Sequence, residues 1–270
     1  MLESPGYSID FYTGYETAFI ESIKQLGSKL WKNSTRKTSR PKVNLLGLSI
    51  WNRYLDGDLK ELKRLFDLCQ IDVNCCLFAN NSLEEFTNFL DADLNVVLYP
   101  EMAKNAVRLI DMPYYICENL PIGFDATEKI FTDICNLLHT DVSPLLEESA
   151  RARALSWFHL DNIHQISGRP NGASFAVEGS PSQITSYSKF FSEYLGMIED
   201  TADILETNAE LVFADANTIA ILKTRHAPFC GIEINNPSMG YIDLLPKTQM
   251  GVTGSLFLIE QVLNGLMSRI

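Results

Sequence analysis

Six cysteines could carry metal or redox chemistry: Cys69, Cys75, Cys76, Cys117, Cys135 and Cys230. A zinc or iron–sulfur site draws on thiolates at short, regular intervals, and no two of these form a C-x-x-C pair or stand at a zinc-finger interval from a histidine. Cys75 and Cys76 are adjacent in an expected strand, so their side chains take opposite faces. Cys69, Cys117 and Cys135 lie inside apolar stretches. Small buried hydrophobes in a reducing compartment are the expectation, and this chain alone is expected to hold no iron–sulfur cluster. The four histidines do not converge. His159 and His164 are five apart and take different helix faces, His139 ends a helix, where a cation is favoured, and His226 falls in a loop. No G-x-S-x-G, H-E-x-x-H or S-x-x-K pattern occurs. Neither a G-x-G-x-x-G after the first strand nor a Walker loop is present, which argues against a standard nucleotide site.

What remains is chemistry placed by the fold. From Lys42 onward, apolar runs alternate with helical periodicities: Val43–Ile50, Val73–Leu77, Leu94–Tyr99 and Pro113–Cys117 as strands, each followed by an amphipathic helix. Asp56-Gly57-Asp58 reads as a turn. Ser82 with Glu85, and Asp125 with Glu128, have the spacing of capping boxes. Short connections in this order predict an open parallel sheet with helices on both faces. A helix over about Ser143–Ile163 ends at Gly168-Arg169-Pro170-Asn171-Gly172, the expected domain boundary. Strands at Ala173–Val177, Leu211–Ala214 and Phe229–Ile234 then build a second, smaller unit. In it Ser180-Pro181 and Gln183 cap a helix. The expected organisation is an N-terminal helix and basic linker over 1–41, a first α/β domain over 42–165, a second over 166–250, and a C-terminal helix over 251–270 packing back on the first. The linker tract Lys29–Lys42 holds six basic residues and no acid, a solvated composition.

Open α/β sheets bind ligands outside the carboxyl ends of their strands. The residues at those ends are Ser49, Ala79-Asn80, Tyr99-Pro100-Glu101, Glu118-Asn119, Glu178-Gly179-Ser180, Asp215-Ala216-Asn217 and Glu233-Ile234-Asn235. Tyr99, Glu118, Ser180, Asp215 and Glu233 are expected to line a cleft between the domains. Tyr99 supplies an aromatic face and a hydroxyl, and Ser180 a hydroxyl beside free helix amides. The three carboxylates make the mouth acidic and suited to a cationic or metal-bearing ligand over a bare phosphate.

Composition narrows the class. The 270 residues are 46% hydrophobic and 21% charged, with 22 basic against 34 acidic side chains and a net charge of −12. That is a globular composition, and its acidity argues against general nucleic-acid binding. No apolar run reaches the roughly 18 residues a membrane span needs. The first residues lack the basic and apolar regions of a secretory signal, so a cytoplasmic location is expected.

The order of motifs carries a resemblance. "VNLLGL", "GDLKELKRLFDLCQIDVNCCL", "SLEEFTNFLDADLNVVLYPE" and "MPYYICENLPIGFDATEKIF", opened by "ESPGYSIDFYTGYETAF" and closed by "RHAPFCGIEIN" and "MGVTGSLFLIEQVLN", resemble the component 1 family of nitrogenases and nitrogenase-like oxidoreductases. The resemblance implies two Rossmann-like parallel-sheet domains. It further implies electron transfer in reductive chemistry, with an ATP-dependent iron–sulfur reductase (a nitrogenase reductase-like iron protein) and a second component 1-like chain as partners in an oligomer. Family chains carry a further domain before the Pro-Gly lead-in, with cysteines for a bridging iron–sulfur cluster; its lack here implies a fragment or a naturally reduced form. In cofactor-holding members, the strand matching Asn95–Tyr99 ends in a cysteine ligand, and a histidine ligand follows the one matching Phe229–Ile234. Tyr99 and Glu233 stand at about those positions here. No metal ligand is therefore assigned, and any iron–sulfur or metal cofactor is expected only in the full assembly. The other reading is a non-catalytic binding or cofactor-assembly scaffold using the same cleft.

Overall fold

The computed structural model describes residues 11–31, 40–79, 81–225, 228–240 and 242–268. Most of the basic tract, Asn80 and His226 lie outside the described residues. Helix α1 (Phe11–Ser22) runs on through a π-type turn, Ile23–Gly27, into the short α2 (Ser28–Leu30). There follow β1 (Lys42–Leu46), α3 (Leu55–Leu68), β2 (Asp72–Cys76), α4 (Leu83–Thr87), β3 (Leu94–Val97), α5 (Pro100–Val107), β4 (Tyr114–Ile116), α6 (Phe124–Leu138) and the 25-residue α7 (Ser143–Ser167). The chain then gives β5 (Ser174–Val177), α8 (Pro181–Lys189), β6 (Ile198–Glu199), β7 (Leu211–Ala214), α9 (Ala216–Thr224), β8 (Cys230–Glu233) and α10 (Gly251–Met267).

The strands form two four-stranded sheets, ordered β2-β1-β3-β4 and β6-β5-β7-β8, with every pairing parallel. The class is α/β, as the alternation predicts. The second sheet has one strand more than expected, because β6 is only two residues long and pairs with β5 at Ser174 and Phe175. Such a short edge strand leaves no periodicity to read.

The helix starts were legible where a side chain does the capping. Ser82 and Ser180 each accept a hydrogen bond from the amide three residues on, and Glu85 and Gln183 return it, as capping boxes. Two expectations are corrected. The cap of α6 is Gly123 at φ +84°, not Asp125, which lies in the first turn beside Phe124. Asp56-Gly57-Asp58 is not a turn but the first turn of α3. A Cβ on Gly57 would collide with the Lys247 carbonyl, so glycine lets a distant segment lie against the helix.

One apolar cluster runs through both sheets. It joins Val43, Leu45 and Val96 of the first, Phe175, Leu211 and Phe213 of the second, and Val252, Leu258, Ile259 and Val262 of α10. Helix α10 touches α3, α6 and α7 as well as β7 and β8. Its apolar surface thus packs on α3, α6 and α7 and also reaches the second sheet, tying the two together. Cys76 belongs to this cluster and Cys75 to a separate one under α1 and α5, the opposite faces expected of strand neighbours. Five of the six thiols are buried and Cys230 is half-buried.

Candidate functional site

Both sheets share one topology in which the chain leaves a central strand, adds an outer neighbour and returns to the other side. The switch points therefore lie between β1 and β3, and between β5 and β7. Helices depart to opposite faces there, which leaves a crevice beyond the strand ends. The two crevices meet in a cavity of ≈480 Å³. Ser49 follows β1, Tyr99 follows β3, Glu178, Gly179 and Ser180 follow β5, and Asp215 follows β7; all line it. Asn235 and Asn236, beyond β8, complete the second-sheet side. Phe11, Tyr12, Trp51, Asn52, Met102 and Gln183 close the remaining walls.

Most polar groups in this wall are committed to the scaffold. Asn52 Oδ1 accepts from the Ser49 amide. Asn235 Nδ2 donates to the Glu178 carbonyl, Gln183 Nε2 to Asn235 Oδ1, and Asn236 Nδ2 to the Trp51 carbonyl. The amides at the start of α8 are not free for a ligand. Glu101, from α5, accepts from the Ser182 hydroxyl at 2.6 Å and from its amide at 3.3 Å. Asp215 accepts from the Thr218 amide at 2.8 Å as the cap of α9. Each helix start already has its own carboxylate.

Two buried polar atoms on residues of this wall have no hydrogen-bond partner among the described residues. Tyr99 is 0% exposed and its hydroxyl has no hydrogen-bond partner; Glu178 Oε2 is buried and likewise unpartnered. Burial pushes the Tyr99 phenol well above its ordinary pKa, helped by the Asp58, Glu101 and Tyr12 side chains, so it stays protonated. Gly47, at φ +88°, makes room for Tyr99, because a Cβ there would press on the Tyr99 backbone at 2.9 Å.

Of the five expected site residues, Tyr99, Ser180 and Asp215 line this cavity. Glu118 does not. It is exposed beyond β4, the outer strand of the first sheet, and so stands off the switch point. Glu233 lies behind the wall in an ion pair with Arg53 at 2.8 Å, their side chains 4% and 5% exposed. Ser238 donates to Glu233 Oε2 and the Gly240 amide to Oε1. Arg53 also pairs with Asp243 at 2.9 Å, and the Tyr54 hydroxyl donates to the Glu233 carbonyl. A second cavity of ≈470 Å³ opens beside this pair, between residues 50–57 and 243–247. Of the residues sequence reasoning passed over, Glu178 carried a signal as a strand end. So did Asn235, just past β8, whereas Trp51 reaches the cavity through a loop, which carries no periodicity.

The positions that the resemblance marks for a cysteine and a histidine ligand do not fit a metal cluster. Tyr99 offers a protonated phenol, and both oxygens of Glu233 are occupied by Arg53, Ser238 and Gly240. Among the described residues, no three His, Cys, Asp or Glu side chains come together as a metal site, and no helix is long and apolar enough to cross a membrane.

The chain belongs to the nitrogenase component 1 type oxidoreductase family, whose sequence profile matches residues 1–199. It is similar to a component of the light-independent protochlorophyllide reductase of Synechococcus sp. (strain CC9311), with 30% identity over 171 residues covering 58% of this chain and 32% of that protein. The corresponding protein of Synechococcus sp. (strain CC9605) shows 27% identity over 212 residues, 72% of this chain and 38% of its own length. The chain thus spans about a third of the length of these relatives. In fold it is similar to a structure titled "Nitrogenase Cp1 at pH 6.5", at a TM-score of 0.75 and 17% identity, covering 98% of this chain and 67% of the other.

Proposed function

We propose that this chain is the cleft-bearing part of a component 1-type oxidoreductase assembly. It works in the cytoplasm with an ATP-dependent iron–sulfur reductase and a second component 1-like chain, and its own cleft takes a non-metallic ligand. The observation that carries this reading is the cavity itself. Two switch points face each other across ≈480 Å³ of space, lined by the ends of four strands from both sheets, the location where α/β folds place their ligands. Family membership supports the reductive role; the donor set at Tyr99 and Glu233 supports a cleft without a cluster. Electrons would come from the partner, and any iron–sulfur group would be held by other chains of the assembly.

The test mixes the purified chain with a nitrogenase reductase-like iron–sulfur protein and a component 1-like chain from the same source. A complex on size exclusion that depends on MgATP, with faster ATP hydrolysis, is expected. No association with or without nucleotide refutes the reductase partnership. The Tyr99 and Glu233 chemistry also favours a second reading, a scaffold that binds a small molecule without redox turnover. It predicts ligand binding unaffected by reductase and MgATP, whereas the first predicts that both change it.

A further inference from the structure

We infer that the cleft between the two switch points takes a flat organic cation, an aromatic or similarly apolar body bearing an amidinium- or ammonium-type N–H group, which donates to Glu178 and meets the Tyr99 hydroxyl. The inference rests on the ligand-binding reading of the cleft above and names the chemistry of its occupant.

Three independent features converge on it. The first is the pair of uncommitted atoms. Buried polar groups are almost always hydrogen-bonded, yet Tyr99 Oη and Glu178 Oε2, on two residues that line this cavity, meet no partner among the described residues. A carboxylate oxygen only accepts, so its partner must bring a donor. The phenol, kept protonated by burial, can give or take a hydrogen bond. The second is charge. Glu178 and Asp215 line the cavity, and no Lys, Arg or His does so among the described residues. The helix starts that could welcome an anion are already filled by Glu101 and Asp215, so a phosphate or carboxylate ligand would meet like charge. The third is shape. Phe11, Tyr12, Trp51, Tyr99 and Met102 give the cavity apolar and aromatic lining beside its acids. An aromatic wall attracts a flat apolar body by area and a cation by its ring quadrupoles. The amides of Asn52, Asn235, Asn236 and Gln183 are tied to one another and to backbone, which fixes the shape of the site before a ligand arrives.

Three probes of one shape and different charge test the assignment on the full 270-residue chain: benzamidine as its cation, neutral benzamide, and the benzoate anion, each titrated by calorimetry. The expected order is benzamidinium tighter than benzamide, with benzoate weakest. Glu178→Gln removes the advantage of the cation, a loss of about tenfold for benzamidinium, the fold-change of a charge-assisted hydrogen bond, with little change for benzamide. Tyr99→Phe weakens both by a smaller factor. Melting curves matching the wild type show that the variants fold. Should Glu178→Gln fail that check, Glu178→Asp, which keeps the charge but withdraws it from the cavity, takes its place. Benzoate or inorganic phosphate binding as tightly as benzamidinium overturns the inference. So does the absence of saturable benzamidinium binding in the millimolar range, or a cation preference that survives Glu178→Gln. None of these outcomes touches reductase association, so the ligand class and the assembly reading fail separately.

Discussion

Asp58 lies fully buried in the first turn of α3 and accepts from the Thr248 hydroxyl and the Gln249 and Met250 amides. Burial outweighs those donors and pushes its pKa up to about 7. In the unfolded chain the group returns to about 3.9. The folded state thus keeps a proton that the unfolded state has already released. Its contribution to stability is fully present below about pH 4 and is lost as pH rises through about 7. Urea unfolding across that window should show wild type losing stability relative to Asp58→Asn as pH rises; a pH-independent difference between the two refutes the assignment. Tyr99 gives the opposite kind of prediction. Its hydroxyl forfeits hydration without gaining a bond, so Tyr99→Phe should leave the melting temperature of the free protein unchanged or higher. A marked fall would mean that the hydroxyl has a partner in solution. Neither property was legible in the sequence. Asp58 looks like one acid of a turn until Gly57 is seen to admit the segment carrying Thr248.

At the scale of elements, α8 shows why some starts could be read and others not. Ser180 and Gln183 satisfy each other's backbone amides three residues apart, and that spacing is visible in a sequence. Ser180→Ala should lower stability by about 1 kcal/mol, measured by urea midpoint; an unchanged midpoint would show that the cap is dispensable. The carboxylate that joins the same helix start comes from Glu101, 81 residues away from Ser182, and nothing local announces it. Likewise, α6 begins at a glycine with positive φ, while the Asp125 and Glu128 expected to cap it turn outward to Arg153. The alternation of strands and helices was legible because each element is apolar on a fixed period. β6 was not, being two residues long. The cavity-lining triad Tyr99, Ser180 and Asp215 was readable from topology alone, as residues just past strand ends, whereas Glu118 shows the limit of that rule: an outer strand ends away from the switch point.

Across the whole molecule, the halves are joined by groups that close beside the cavity. Arg53 holds Glu233 and Asp243, Asp58 holds 248–250, Tyr187 donates to Gln249, and the Leu120 amide donates to Ser186. Arg53→Ala leaves Glu233 buried without its cation. It should cost on the order of 3–5 kcal/mol, the usual consequence of breaking one side of a buried pair, read as a drop in urea midpoint. A change below about 1 kcal/mol, as for a surface pair, would show the pair to be hydrated. Exposed pairs such as Arg151–Glu147 on α7 provide the control, since their removal should be almost silent.

Those joining groups have a consequence in time. Arg53 and Glu233 are 180 positions apart along the chain, and Asp58 and Thr248 are 190 apart. Contacts of such separation reward the chain only after large loops have closed. Each sheet can assemble from nearer neighbours, so the cavity should be the last region completed as the protein folds. It should also be the first to open under mild denaturant. Amide exchange followed by mass spectrometry would register this as earlier deuterium uptake in 233–250 than in β1 and β3. A small molecule seated in the cleft would slow that uptake and so act as the closing step of folding.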